Sequence, residues 1–377
     1  MLRIVADSKI PFLAGALDHV AQVVYVPRSQ ISKEEIASAD ALIIRTRTKC
    51  NRELLHGTTV KFIASATIGY DHIDTAYCDT QGIKWTNAPG CNSGSVKQYI
   101  ASALAEIVSI EKKTFKDITL GIIGVGNVGS KVAAMAKTLD IKTLLNDPPR
   151  QRVEGKDDFT DIETLIAQSD IITVHVPLSY EGINKTFHLA NSDFFAKMKR
   201  GAWFINTSRG EVMETQSLIR ALESKHLDGA AIDVWENEPS INLRLLELAQ
   251  ITTPHIAGYS ADGKANGTAM SVQAISKFFG LAMDNWQPAN VPQAKQSSLA
   301  INGKDKTKEQ IFSELSNFAY NILLDSDKLK KSPETFEQQR ESYPIRREPE
   351  NLEIIARSIS PPLKILIQNL GYKLQVF

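Results

Sequence analysis

Apolar residues fall in short runs along most of the chain, separated by longer segments in which apolar positions return every three or four residues. The runs at 3–6, 23–26, 41–45, 61–65 and 83–86 carry few polar positions, as strands buried on both faces do. Polar segments of helical character lie between them, for example at 32–39. A second series is more regular, with runs at 119–123, 142–146, 171–176, 202–206, 230–234 and 250–253. Helical patterns at 127–140, 161–168 and 215–224 fill its gaps, and such alternation predicts a doubly wound parallel sheet. Between the two series, Val96, Tyr99, Ile100, Ala103, Leu104, Ile107 and Val108 recur at helical spacing, which predicts a long amphipathic helix joining them. A helix over 264–283 returns the chain to the first unit, and the prolines in 285–292 mark a linker. The remainder predicts a smaller unit with a helix over 307–323 and strands at 352–356 and 373–377. No chemical motif stands out there. Oligomerisation is the preferred role, with ligand sensing or a simple cap as alternatives.

Composition changes this picture little. With 377 residues, 43% hydrophobic and 23% charged, two or three ordinary globular domains are expected. A formal net charge of zero argues against a broad nucleic-acid or polyanion surface, but leaves room for a small anion pocket. Cys50, Cys78 and Cys91 share no metal-ligand spacing and fit a reducing compartment, so no metal and no disulfide framework is expected. No signal-like start and no apolar stretch of membrane-spanning length is seen, so a cytoplasmic chain with no membrane contact is expected.

Candidate chemistry begins where the run 119–123 enters Gly124-x-Gly126-x-x-Gly129. Gly124 suits a tight turn, Gly126 lets the backbone approach a pyrophosphate, and Gly129 lets helix and strand pack closely. The backbone of Asn127 and Val128 opens the helix, whose positive end attracts phosphate. Asp147 ends the next strand, where an acid is expected on the adenosine ribose. Its charge disfavours a 2′-phosphate and so selects NAD over NADP, although Arg150 lies close by. A purely structural turn is the bland alternative. In the first unit, Arg45-Thr-Arg-Thr48 and Ala66-Thr-Ile-Gly-Tyr-Asp-His-Ile-Asp74 follow strands. Arg45 and Arg47 suit a phosphate or carboxylate, or else are solvated edge charges.

Three more polar residues follow strands of the second series. They are Arg209 in Asn206-Thr-Ser-Arg-Gly210, Glu238 in Asp233-Val-Trp-Glu-Asn-Glu-Pro239, and His255 in Thr253-Pro-His-Ile-Ala-Gly258. Oxidation of a secondary alcohol needs a base for the hydroxyl proton and a cation for an adjoining carboxylate. A histidine with a carboxylate partner and an arginine supply both. Taken singly each has an ordinary explanation, such as a packed histidine or a turn cap. Their joint place at strand ends, where this architecture binds ligands, favours chemistry.

With these motifs in hand, the chain resembles the D-isomer-specific 2-hydroxy acid dehydrogenases. It is most similar to the branch acting on 4-phospho-D-erythronate, through Arg45-Thr-Arg-Thr-Lys49, Thr67-Ile-Gly-Tyr-Asp-His72, Ala88-Pro-Gly-Cys-Asn92, Leu144-Leu-Asn-Asp-Pro-Pro149 and His255-Ile-Ala-Gly-Tyr-Ser260. The likeness is nearly continuous over 1–285 and weaker beyond, where Glu341-Ser-Tyr-Pro-Ile-Arg-Arg-Glu348 is the best fragment. It implies NAD-dependent oxidation of that phosphorylated sugar acid at C2 to (R)-3-hydroxy-2-oxo-4-phosphooxybutanoate, in vitamin B6 synthesis. Arg209, Glu238 and His255 would be catalytic. Asp233 would lie at the nicotinamide carboxamide, and Gly258 would approach the cofactor. Thr46, Thr67 and Tyr259 would contact substrate, alongside Arg45 and Arg47. Two positions depart from the family pattern: Val176 replaces a common threonine, and Thr46 a common serine. The resemblance also implies three domains: a split flavodoxin-like substrate domain (1–94 plus 256–285), a Rossmann-type NAD domain (95–255) and a small C-terminal α/β domain (286–377) that builds a homodimer. Arg346 and Arg347 would then reach the partner's active site. A dehydrogenase for another D-2-hydroxy acid such as 3-phosphoglycerate, or a non-catalytic NAD(H) sensor, are the alternatives.

Overall fold

The computed structural model describes residues 1–155 and 158–377. They form two compact units, one of residues 1–92 and 260–293, the other of residues 93–259 and 294–377. In the first unit, strands β1 (Arg3–Asp7), β2 (Gln22–Val26), β3 (Ala41–Ile44), β4 (Phe62–Ser65) and β5 (Lys84–Thr86) form one parallel sheet in the order β2-β1-β3-β4-β5. The central strands β3 and β4 are buried at every position, as their unbroken apolar runs require. The helix Ala261–Phe279 covers one face through Val272 and Ile275. It comes so close that a Cβ on Gly267 would stand 2.6 Å from the carbonyl oxygen of Ala66.

The second unit holds β6 (Thr119–Ile123), β7 (Lys142–Asn146), β8 (Ile171–Val174), β9 (Ala202–Asn206), β10 (Leu227–Ile232) and β11 (Ile251–Thr252), in the parallel order β11-β10-β9-β8-β6-β7. The order reverses between β6 and β8, the switch point at which such sheets bind nucleotides. The expected amphipathic helix is Ser93–Glu111, buried along most of its length. Its polar residues form a seam with the C-terminal segment. Ser95 Oγ donates to Glu348 (2.8 Å), Gln98 Nε2 to the carbonyl of Arg347 (2.9 Å) and Ser102 Oγ to that of Tyr320 (2.7 Å).

The C-terminal segment contributes a third sheet of three parallel strands, β12 (Ser298–Asn302), β13 (Glu353–Arg357) and β14 (Lys373–Val376). Strand β12 escapes a pattern reading because only Ile301 among its residues is buried. The helix expected over 307–323 is instead two helices, Lys308–Ala319 and Ile322–Lys331. Tyr320 is extended (φ −162°), and the side chain of Asn321 caps the second helix by accepting from the N–H of Leu323. Both flanking stretches are apolar at helical spacing, so periodicity alone runs through the break. Among the described residues no helix is long and apolar enough to cross a membrane.

Candidate active site

The glycine turn after β6 gives each glycine a separate reason. Gly124 has φ 86°, and a Cβ there would stand 2.5 Å from the carbonyl oxygen of His175. A Cβ on Gly129 would stand 2.0 Å from the carbonyl oxygen of Gly124, so only glycine lets the helix Asn127–Thr138 begin so close to the turn. Gly126 differs: a Cβ there would meet nothing within 4 Å. The chain itself does not need that glycine, whereas a ligand lying against the backbone does. Asn127 and Val128 open the helix, whose first N–H groups have no intrahelical acceptor. Val176 lies against the turn, its Cγ1 2.9 Å from where a Gly124 Cβ would stand.

Asp147, at the end of β7, ties this turn to the neighbouring strand. One carboxylate oxygen accepts the N–H of Val125 at 2.8 Å, and the other accepts that of Arg150 at 3.0 Å. Each oxygen retains a second lone pair for a ribose hydroxyl. Arg150 closes on Glu154 through two bonds of 2.7 and 2.6 Å and donates to the Val125 carbonyl at 2.5 Å, so its charge is matched locally. The open approach at Gly126 and an acid at the second strand end fit a dinucleotide.

The three residues expected to react follow β9, β10 and β11. His255 Nδ1 lies 2.8 Å from Glu238 Oε2, and the other Glu238 oxygen accepts the N–H of Trp235 at 3.0 Å. Nε2 of His255 is therefore the nitrogen left for a substrate. Burial pushes the Glu238 carboxyl up, but the charge of His255 and the hydrogen bonds from His255 and Trp235 outweigh it, and the group stays below its ordinary value. Arg209 ends a turn held by Asn206, whose Nδ2 donates to the Arg209 carbonyl at 2.9 Å and whose Oδ1 accepts from Ser208 N–H at 3.0 Å. A Cβ on Gly210 would stand 2.0 Å from the carbonyl carbon of Trp235, so that glycine seats the Arg209 turn directly on the loop carrying Glu238.

Asp233 is buried, and its carboxylate already serves the chain. It accepts from Thr253 Oγ1 (2.6 Å) and from the N–H groups of Ile256 (2.8 Å) and Ala257 (2.9 Å). Burial holds its carboxyl above the usual range in spite of these partners. Its first role is thus to shape the loop bearing His255, with a single Oδ2 lone pair left over for a carboxamide. Gly258 and Tyr259 close that loop, the N–H of Tyr259 donating to Ile256 O at 2.8 Å.

In the first unit, Arg45 closes its fork on Asp7, with Nε 2.8 Å from Oδ2 and Nη2 3.2 Å from Oδ1. One edge of the expected anion-binding fork is therefore already engaged, and the remaining N–H groups on Nη1 and Nη2 are left for an anion. Thr46 is exposed and Arg47 partly buried in the turn after β3. Thr67 Oγ1 lies 2.8 Å from Ser65 Oγ, which is 3.3 Å from His72 Nε2. Burial drives His72 down to about 4, so it is neutral near pH 7.

Two further features of the second unit stand out in the structure. His175, at the end of β8, is pushed down to about 3 by burial and contacts Thr173 (3.1 Å). The second is the C-terminal arginine pair. Arg346 and Arg347 are each 5% exposed, and Arg346 donates to the carbonyls of Ile256 (3.0 Å) and Ala257 (2.6 Å) of its own chain. The hydrogen bonds of the Arg346 guanidinium thus fall within its own chain. Arg346 and Arg347 lie outside the strand-end pattern, and only the resemblance over 341–348 drew them out of the sequence. Among the described residues no group of His, Cys, Asp and Glu suits a metal ion.

Comparison with known proteins shows the family. The family profile "D-isomer specific 2-hydroxyacid dehydrogenase, NAD binding domain" matches residues 97–257. The erythronate-4-phosphate dehydrogenase of Bacteroides fragilis is 51% identical over 348 residues, covering 92% of this chain and 97% of its own. That of Yersinia enterocolitica is 35% identical with full coverage of both chains. Among solved structures, the D-lactate dehydrogenase of Aquifex aeolicus complexed with NAD and lactic acid is 28% identical. It matches at a TM-score of 0.62, over 74% of this chain and 96% of its own. The NAD-bound 3-phosphoglycerate dehydrogenase of Entamoeba histolytica is 25% identical and matches at 0.62, over 77% and 99%. The chain belongs to the erythronate-4-phosphate dehydrogenases, within the NAD-dependent D-isomer specific 2-hydroxyacid dehydrogenase family.

Proposed function

We propose that the protein is an NAD-dependent oxidoreductase that converts 4-phospho-D-erythronate to (R)-3-hydroxy-2-oxo-4-phosphooxybutanoate, a step of vitamin B6 synthesis. The observation that carries this is the 2.8 Å His255–Glu238 pair on a strand-end loop beside the Arg209 turn, in a chain half identical to enzymes of that name. Bound NAD+ supplies the acceptor for the C2 hydride. As that hydride leaves, His255 Nε2 takes the proton of the C2 hydroxyl, and the ionised Glu238 stabilises the imidazolium through Nδ1. In the reverse direction the same nitrogen returns the proton. The Arg209 guanidinium suits the C1 carboxylate and the oxygen that becomes a carbonyl. Gly124, Gly126, Asn127, Val128, Gly129 and Asp147 would hold the cofactor. Val176, Asp233 and Gly258 belong to the same site in this proposal.

Substrate recognition by Thr46, Thr67, Arg45, Arg47 and Tyr259 is part of the same proposal, with the Arg45 N–H groups not engaged by Asp7 as donors. So are the division into domains at 1–94 with 256–285, 95–255 and 286–377, a homodimer built through the last of these, and a cytoplasmic location. The deciding experiment follows NADH formation with 4-phosphoerythronate and, separately, with 3-phosphoglycerate. Preference for the first by about a hundredfold or more in kcat/KM is expected; preference for the second overturns the substrate assignment. Loss of about a thousandfold in turnover is expected for His255→Ala with NADH binding retained. Turnover at the parent rate in that variant leaves an NAD(H)-binding protein whose chemistry lies elsewhere.

A further inference from the structure

We propose that Arg346 is a positioning residue for His255, holding the catalytic loop from the C-terminal segment of the same chain. This rests on the assignment of His255 as the base. His255 occupies the left-handed region with φ 56°, which a non-glycine residue keeps only where its surroundings over-determine it. Those surroundings act from two sides. Asp233 holds the N–H groups, with His255 N–H on its main-chain oxygen at 2.7 Å and those of Ile256 and Ala257 on its carboxylate at 2.8 and 2.9 Å. Arg346 holds the opposite edge, with Nη2 3.0 Å from Ile256 O and 2.6 Å from Ala257 O. The two residues that follow His255 are therefore held at their N–H groups by the buried Asp233 carboxyl and at their carbonyls by the buried Arg346 guanidinium.

The guanidinium is itself fixed. Its Cζ lies 4.4 Å from the ring centroid of Tyr320 and 5.7 Å from that of Tyr343. Both tyrosine hydroxyls donate to Asp325, at 3.0 and 2.8 Å. The Nε of Arg346 is buried with no hydrogen-bond partner. A buried ion left partly unsatisfied contributes little to stability, and an apolar side chain of similar size fills such a site as well or better. What an apolar side chain cannot do is hold two carbonyls in place. The arrangement makes sense as conformational control of the histidine loop, and it gives the C-terminal segment a part in the active site of its own subunit.

The test compares Arg346→Met, which keeps an unbranched apolar stem and loses the donors, with Arg346→Lys, which keeps the positive charge but not the planar fork. Arg346→Met should lower kcat about thirtyfold while the KM for 4-phosphoerythronate and the NADH dissociation constant stay within about threefold. Arg346→Lys should recover part of the loss without reaching the parent rate, because an ammonium lacks the planar fork that bonds two carbonyls and stacks on Tyr320. In a Glu238→Gln background the Met substitution should cost clearly less than about thirtyfold, since a lever acting through the dyad has less to lose once the dyad is broken. A parent-like kcat, or fully multiplicative effects, would overturn the proposal. Amide hydrogen exchange of the peptide 253–260 reads the clamp without turnover. About tenfold faster exchange there in Arg346→Met, with distant peptides unchanged, is expected, and parent-like exchange defeats the clamp. If the parent fails to turn over 4-phosphoerythronate, the substrate assignment fails alone, and exchange still decides the clamp. Should Arg346→Met not fold, Tyr343→Phe loosens the same guanidinium and should speed exchange at 253–260 about threefold; unchanged exchange in it overturns the proposal.

Discussion

His255 has one nitrogen committed and one left over, and the proposed reaction rests on that asymmetry. With Nδ1 paired to Glu238 at 2.8 Å, a substrate proton can go only to Nε2. Glu238→Gln keeps the shape of the pair and removes its charge. It should lower kcat about 10- to 100-fold with little change in KM, read by steady-state kinetics. The same carboxylate also shapes acid stability. Its folded pKa lies below its ordinary value, so its stabilising contribution is complete above about pH 4.3 and fades as pH falls through the lower, folded value. Urea midpoints at pH 5 and pH 3 should therefore diverge more in the parent than in Glu238→Gln. Equal divergence in the two proteins would show that the pair does not contribute there.

At the scale of elements, the glycine turn separates folding from ligand binding. Gly126→Ala places a methyl group in open space, so the chain should fold with a Tm within about 2 °C of the parent. NADH affinity should nevertheless drop about tenfold or more, because the added group stands where a pyrophosphate approaches the backbone. Gly129→Ala places a methyl group 2.0 Å from the Gly124 carbonyl oxygen and should cost about 2–4 kcal/mol of stability as well. Thermal melts paired with fluorescence titration of NADH distinguish the two. A Gly126→Ala protein that binds NADH like the parent would refute the role given to that glycine. Elements with one strong period were legible: the strands of both larger sheets and the helix Ser93–Glu111 match their patterns closely. The break at Tyr320 and strand β12 were not, because one depends on a single capping side chain and the other on which face meets the core.

Across the whole molecule, two histidines far from each other in sequence link folding to pH. Burial holds His72 down to about 4 and His175 down to about 3, while both titrate near 6.5 in an unfolded chain. Between those values the unfolded state binds protons that the folded state refuses, so stability falls as pH drops below about 6.5, by up to about 1.4 kcal/mol per pH unit for each group. Denaturation midpoints measured from pH 7 to pH 5 should decline in the parent and decline less in His72→Asn. An identical decline would place the effect elsewhere.

The sequence by itself determined the fold class and the nucleotide turn, and it singled out the three residues that the proposed reaction uses. Runs of buried strand alternating with helices force a parallel sheet, and a parallel sheet gathers all its strand ends on one edge. Positions as distant as Gly124, Asp147, Arg209, Glu238 and His255 therefore become one neighbourhood without any knowledge of contacts. Only the tertiary structure decided what each polar group is bonded to. Arg45 turns to Asp7, Asp233 commits most of its lone pairs to shaping the histidine loop, and Arg346 folds inward onto Ile256 and Ala257. Hydrogen-bond partners lie 38, 23 and 90 residues apart in these cases, and no periodicity connects them. Burial makes each unpaired polar group costly, so packing chooses partners by proximity in space, which a linear pattern does not record.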